Sequence, residues 1–263
     1  MNVRGIAALS LLCTLSGCVA VSVNRSARAQ RGEPGRQVER RIETQVVRAV
    51  AGSYLIYLPE GYDSTRLWPL LLFLHGAGER GDDLERVAIH GPPRLIREAT
   101  MDFPFIVVSP QVPEDRTWST LFLDALIEEI SATHAVDEDR IYVTGLSMGA
   151  YGAWHVAFEF PDRFAALAPI SGGGTITGPC TIRHVPVWVF HGALDPVVPV
   201  WHSDELVERL RDCDGHVRYT RYDAAGHDAW TRTYANSELY EWLLQHRRTQ
   251  PGPRDADHRI RSR

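Results

Sequence analysis

Six short runs along the chain, Leu70–His75, Phe105–Ser109, Arg140–Gly145, Ala165–Ser171, Val185–Gly192 and Val217–Tyr222, are largely apolar without clean alternation of apolar and polar positions. Runs of this kind suit strands that are buried on both faces. Between them lie stretches that read as helices: Leu84–Ala99, interrupted at Gly91-Pro92-Pro93, then Ser119–His134, Met148–Phe160, Trp201–Asp212 and Asn236–Gln245. Strand and helix alternate, which predicts an α/β architecture: a mainly parallel, twisted sheet with helices on both faces. Two β-rich runs, Val46–Val50 and Ser53–Leu58, flank Ala51-Gly52 and predict an antiparallel hairpin at the start of the domain. No internal repeat or low-complexity linker interrupts the body, so one domain is expected over 39–246.

The N-terminus departs from this grammar. Arg4 is followed by an apolar run, Gly5–Ser16, too short to span a bilayer as a mature helix, and 1–17 therefore reads as an export signal. Leu15-Ser16-Gly17-Cys18 resembles the lipobox of bacterial lipoproteins, which makes Cys18 the expected lipidation site and 18–38 a flexible tether. Cleavage after Ala27-Arg28-Ala29, releasing a soluble exported protein, is the alternative. Export to an oxidising compartment leaves Cys180 and Cys213 either as a disulfide or as two separate thiols.

Composition narrows the function classes. With 44% hydrophobic and 23% charged residues, the chain is that of a folded globular protein and not of a disordered or polytopic membrane one. The net charge of −5 hides a segregation, because the segment 247–263 carries six Arg against two Asp. That segment reads as a disordered basic tail, solvated or in weak contact with anionic lipid. The acidic body argues against nucleic acid as a partner, since phosphate binding needs a concentrated basic face. The expected membrane contact is the lipid on Cys18.

In open α/β sheets, chemistry gathers where strands end and the chain turns toward the next helix. Arg140–Thr144 runs into Gly145-Leu146-Ser147-Met148-Gly149 and then into an apolar helix, the strand-turn-helix setting of a G-x-S-x-G elbow. Such a turn exposes the Ser147 hydroxyl at a helix N-terminus, which favours developing negative charge. His75-Gly76-Ala77-Gly78 follows an early strand, where this layout builds an oxyanion hole; the donors expected are the amides of Ala77 and Met148. Asp195 follows the strand ending near Phe190, and His227 follows the last strand. A serine hydroxyl needs a base to take its proton, and that base needs a carboxylate to fix its tautomer. Ser147, His227 and Asp195 take these roles, with Asp223 and Asp204 as rival acids. His75 and His191 open glycine turns and are read as structural hydrogen-bonders. No cluster has zinc-ligand spacing, so no metal or cofactor is implied.

With these motifs in order, the chain resembles the α/β-hydrolase superfamily, in its lid-free esterase, phospholipase/carboxylesterase and "predicted peptidase" branch. The likeness is carried by FLHGAGERGDDL (73–84), HGPP (90–93), SPQ (109–111), TGLSMGAYGAW (144–154), VWVFHGALDPVVPV (187–200) and GHDAWTRTY (226–234). It implies an α/β-hydrolase fold and a serine hydrolase acting on carboxylic esters through an acyl-enzyme. A dienelactone hydrolase would carry Cys where this chain has Ser147. A prolyl-oligopeptidase-like serine peptidase and a non-catalytic envelope lipoprotein are the alternatives. The segment Gly172–Val185 is too short for a helical cap, so the site should be open to short-chain, aryl or saccharide-linked acyl esters. Tyr151, Trp230 and Trp118 are the expected pocket walls, with Trp201 and Arg80 behind them.

Overall fold

The computed structural model describes residues 12–14, 17–22 and 45–248, and the chain divides into two units, Met1–Ala51 and Gly52–Arg263. In the first unit, strands β1 (Leu12–Thr14), β2 (Gly17–Ser22) and β3 (Gln45–Arg48) pair antiparallel in the order β1-β2-β3. Cys18 lies in β2 opposite Cys13. Most of the apolar run expected to be a signal, the Ala27-Arg28-Ala29 site, most of the expected tether and the expected tail from 249 onward lie outside the described residues.

The second unit is built on a seven-stranded sheet. Its strands are β4 (Tyr54–Tyr57), β5 (Trp68–Leu74), β6 (Ile106–Pro110), β7 (Val136–Leu146), β8 (Ala166–Ile170), β9 (Val187–Gly192) and β10 (Val217–Tyr222). They lie in the order β10-β9-β8-β7-β5-β6-β4, every pair parallel except β4 with β6. Strand β5, Trp-Pro-Leu-Leu-Leu-Phe-Leu, is buried at every position, because its alternate side chains feed two separate cores. Leu70, Leu72 and Leu74 point to one face, under helices α2 (Thr120–Thr133), α3 (Met148–Glu159) and α4 (Trp201–Asp212). Leu71 and Phe73 point to the other, with α5 (Trp230–Tyr234), α6 (Ser237–Leu244) and the flank of α1 (Gly91–Arg97).

Helix ends follow local chemistry. The Ser119 hydroxyl accepts from the Phe122 N–H at the start of α2, and the Asn236 side chain accepts from the Glu238 N–H at the start of α6. Gly91-Pro92-Pro93, read as a break, is in fact the first turn of α1, where proline's missing N–H costs nothing. The edge strand β10 is half exposed and carries Arg218 and Arg221, which discourage pairing with another chain.

Three expectations change. The hairpin across Ala51-Gly52 does not form: β3 pairs with β2, and β4 closes the open edge of the buried strand β6. An isolated two-stranded hairpin is marginal in water, whereas β6 offers an apolar partner already held in a sheet. Strand β7 begins at Val136 rather than Arg140, because the Asp137 carboxylate is buried and accepts from Arg140 Nε at 2.8 Å and Arg247 Nη1 at 3.0 Å. The folded domain also extends past 246. The Arg248 N–H donates to the Asp139 carbonyl at 3.0 Å and its guanidinium reaches the Asp139 carboxylate at 3.1 Å, so Arg247 and Arg248 belong to the body.

Cys180 and Cys213 are joined in a disulfide, with their Cα atoms 5.7 Å apart. Cys180 lies in a short 3-10 turn (Pro179–Ile182) and Cys213 caps α4, both on segments that lead into the N-terminal ends of β9 and β10. Closing 33 residues of chain should be worth about 3–4 kcal/mol through the unfolded state. Reduction should therefore lower the unfolding free energy by that much, with a lower urea midpoint and a somewhat steeper slope as the released unfolded chain expands, as read by urea melts with and without dithiothreitol. Asp137→Ala should cost about 2 kcal/mol, since it strands Arg140 while the more exposed Arg247 regains water; the same melts check it.

Candidate active site

The sequence around Ser147 can fold in essentially one way. A Cβ on Gly149 would sit 1.9 Å from the Leu74 carbonyl oxygen, and one on Gly145 would sit 2.4 Å from the Gly149 carbonyl oxygen. Only glycine lets the first turn of α3 press against the end of β5. The turn leaves Ser147 at φ 50° and ψ −117°, strained for an L-residue, with its N–H donating to the Ile170 carbonyl of β8 at 2.9 Å. Its side chain therefore stands clear of the sheet at the head of α3.

His227 and Asp195 come to it from two neighbouring strands. The loops after β9 and β10 are laced together, Ala193 N–H donating to the Tyr222 carbonyl and Leu194 N–H to the Ala225 carbonyl, each at 2.9 Å. His227 Nδ1 lies 2.6 Å from Asp195 Oδ2, and His227 Nε2 lies 3.0 Å from Ser147 Oγ. Facing a carboxylate, Nδ1 carries the hydrogen, which leaves the Nε2 lone pair for the serine hydroxyl. The other carboxylate oxygen, Oδ1, accepts from the N–H groups of Val197 and Val198 at 2.8 and 2.9 Å. Burial pushes the Asp195 carboxyl up, but the bonds from His227, Val198 and Val197 outweigh it and hold its pKa below the usual carboxylate value. The acid is therefore ionised at neutral pH.

The rival acids are placed elsewhere. Asp204 accepts from the Tyr219 hydroxyl at 2.8 Å and from Arg221, and Asp223 is an exposed side chain. Ala77 sits in a 3-10 turn (Ala77–Glu79) directly after β5, and Met148 is the first residue of α3, whose leading N–H groups have no acceptor within the helix. Behind Ala77, His75 is fully buried. Its Nε2 accepts from the Val112 N–H at 3.0 Å, so its Nδ1 donates to the Gly76 carbonyl at 2.6 Å. Burial is the largest cause lowering its pKa to about 4 from an ordinary 6.5.

A cleft of about 410 Å³ opens beside Ser147, lined by Thr117, Trp118, Met148, Tyr151, Gly152 and His155. Trp118 is held by a bond from its Nε1 to the His75 carbonyl at 3.3 Å and by its ring against the His75 imidazole. Tyr151 keeps a neutral phenol, its pKa raised by burial and by the Asp195 charge. His155 was missed from sequence, although Ser147, Tyr151 and His155 fall at successive four-residue steps, one face of α3. Trp230 does not line this cleft: it is buried, with its ring edge-on to His227 at 5.0 Å and against His90 at 5.7 Å. Trp201 is exposed and stacks on His202, and Arg80 braces the turn by donating to the Ala77 carbonyl. Two other hollows lie at the opposite end of the sheet, around His184 and Arg247, away from Ser147.

A family model named Esterase matches residues 53–201. The chain belongs to the Esterase family. Its sheet and helices are those of α/β-hydrolase esterases, as the solved structures bear out. A crystal structure of a thermostable esterase matches with 38% identity and a TM-score of 0.64, over 74% of this chain and 59% of that one. A poly(3-hydroxyoctanoate) depolymerase of Pseudomonas fluorescens is 32% identical over 135 residues, 42% of this chain and 49% of that protein. A protein of Aspergillus terreus named "Probable feruloyl esterase C" is 28% identical over 173 residues, 62% of each chain. The chain thus spans between 49% and 62% of the length of these curated relatives.

His75 makes a testable link between the site and stability. Its folded pKa is depressed, so the unfolded chain binds the proton first: stability is complete above pH 6.5 and is lost as pH falls toward 4. The loss should be on the order of 3 kcal/mol. His75→Gln should flatten that part of the stability profile, as measured by urea melts from pH 7.5 to 4.

Proposed function

We propose that this Esterase-family chain is a serine hydrolase of carboxylic esters that works through an acyl-enzyme on Ser147. What supports the reading is one observation above all: the continuous hydrogen-bonded line from the strained Ser147 through His227 to the buried, ionised Asp195. As the Ser147 oxygen bonds to the carbonyl carbon, His227 Nε2 takes the hydroxyl proton, and the carbonyl oxygen becomes an oxyanion facing the amides of Ala77 and Met148. Collapse breaks the bond to the alkoxy oxygen, which leaves as an alcohol with the proton from His227. Water then repeats the sequence on the acyl-serine, freeing the acid and restoring Ser147.

The acyl group is assigned to the cleft between Trp118 and Tyr151, whose apolar walls suit a short or aryl acyl chain. The depolymerase and feruloyl esterase names of the relatives are both names of ester-cleaving proteins, consistent with small-molecule or saccharide-linked esters here. We place the protein outside the cytoplasm, with Cys18 as its lipid anchor, on the signal-like run ahead of it.

Turnover of p-nitrophenyl esters from C2 to C12, beside a p-nitroanilide peptide set, tests the reading. Ester turnover should peak at short chains. Ser147→Ala should lower kcat by roughly 10⁴-fold or more, and Asp195→Asn by about 10⁴-fold. Amide turnover matching ester turnover would replace the esterase reading with a peptidase one.

A further inference from the structure

His191, at the end of β9, is fully buried and takes no part in the proton path above, yet it reaches the same carboxylate. Its Nε2 lies 3.1 Å from Asp195 Oδ2 and 2.9 Å from the Val198 carbonyl oxygen. Both neighbours are acceptors, so Nε2 carries a hydrogen. Its Nδ1 lies 2.7 Å from the Ser203 hydroxyl of α4, which also lies 3.0 Å from the Gly172 carbonyl. Burial lowers the His191 pKa, against the pull of Val198 and Asp195, so the ring is neutral: its one hydrogen, on Nε2, is divided between Asp195 Oδ2 and the Val198 carbonyl, and the Ser203 hydroxyl divides its hydrogen between Nδ1 and the Gly172 carbonyl. Asp195 Oδ2 is thereby shared between two imidazoles.

We propose that His191 is a positioning residue that, by donating a second hydrogen bond to Asp195 Oδ2, orients the carboxylate and sets the basicity of His227. The proposal rests on the reading of Ser147, His227 and Asp195 as the catalytic residues. Each bond that Oδ2 accepts spreads its charge and weakens its hold on the His227 proton. Without the His191 donor, the undivided charge favours the His227 imidazolium, and the base stays protonated to higher pH. A carboxylate held from one side fewer also presents His227 less squarely to Ser147. The remaining groups facing this cluster are few. Tyr151 from α3 senses Asp195, Ser203 and His202 lie on α4, and Trp230 from α5 covers His227 with His90 and Glu79 behind it.

The test is the pH dependence of kcat/KM for p-nitrophenyl acetate in the full chain, with a fluorophosphonate probe counting intact Ser147 in every preparation. His191→Leu should move the acidic limb up by about half to one pH unit. It should also lower kcat about tenfold, with KM within about twofold. His191→Gln, which offers an amide N–H in place of Nε2, should recover most of the shift. A His191→Leu profile that overlays the wild type while thermal stability falls would reduce His191 to packing and overturn the proposal. Should His191→Leu fail to fold, Ser203→Ala decides: loss of the hydroxyl that fixes Nδ1 should shift the limb in the same direction by less, and an unmoved limb overturns the proposal. Wild type that fails to label, or Ser147→Ala that stays active, would instead sink the catalytic reading itself.

Discussion

The approach of the first turn of α3 to the Leu74 carbonyl is the contact on which the rest of the site depends. Because a Cβ on Gly149 would lie 1.9 Å from that oxygen, the turn and the end of β5 are as close as backbone can come. Two consequences follow from one contact. Ser147 is pushed out of both strand and helix geometry, and the chain leaving β5 starts against the same turn: a Cβ on Gly149 would also lie 2.8 Å from the His75 carbonyl oxygen, and one on Gly76 would lie 2.8 Å from the Leu146 side chain. The nucleophile proposed and the two amides proposed to face the oxyanion are therefore placed by the same close approach rather than by separate devices. A backbone strained in this way costs about 1–3 kcal/mol. The surrounding strands offset it: β5 and β8 are buried at every position, and each large apolar side chain buried contributes about 1.5–3 kcal/mol.

Asp195 and His227 are held by a different principle. They sit 32 residues apart, on loops after the adjacent parallel strands β9 and β10, and the backbone bonds between those loops bring them together. Asp195 is then saturated. Two backbone N–H groups occupy Oδ1 and two imidazoles occupy Oδ2, so the carboxylate has no free direction in which to turn. A buried charge is tolerable only when its lone pairs are met in this way. The same saturation fixes the His227 tautomer, which makes the acid's stability and the base's orientation one problem.

The strands and helices of the body were legible because their apolar runs face two cores and need no tertiary knowledge to be seen. So were Ser147, Asp195 and His227, since each follows a strand whose end could be located. What stayed hidden depended on partners distant in sequence. Tyr54–Tyr57 reads equally well as half of a hairpin or as an edge strand, and only the open side of β6 decides between them. Asp137 makes Val136–Asp139 look like a loop until Arg247, 110 residues away, neutralises it. Trp230 follows His227 by three positions whether its ring lines a pocket or packs beneath the imidazole. His191 was legible as a hydrogen-bonder, but its second acceptor, Asp195 Oδ2, could not be seen in spacing alone.

The walls around Ser147 are unequal, and this bears on what the site can distinguish. On one side Trp118 and Tyr151 are fixed: the tryptophan by the buried His75, the tyrosine by its place on α3. A side chain tied to a rigid, neutral imidazole cannot readily move aside, so the acyl group proposed to enter the cleft would meet a wall of set shape. On the other side, the segment between β8 and β9 carries only the 3-10 turn Pro179–Ile182, and the β9–α4 connection exposes Leu194 and Val197 at 66% each. Little there can enclose a leaving group. On the reading proposed above, selectivity built this way falls on the acyl half of the ester, and the alcohol half meets an open rim on which Leu194 and Val197 are exposed.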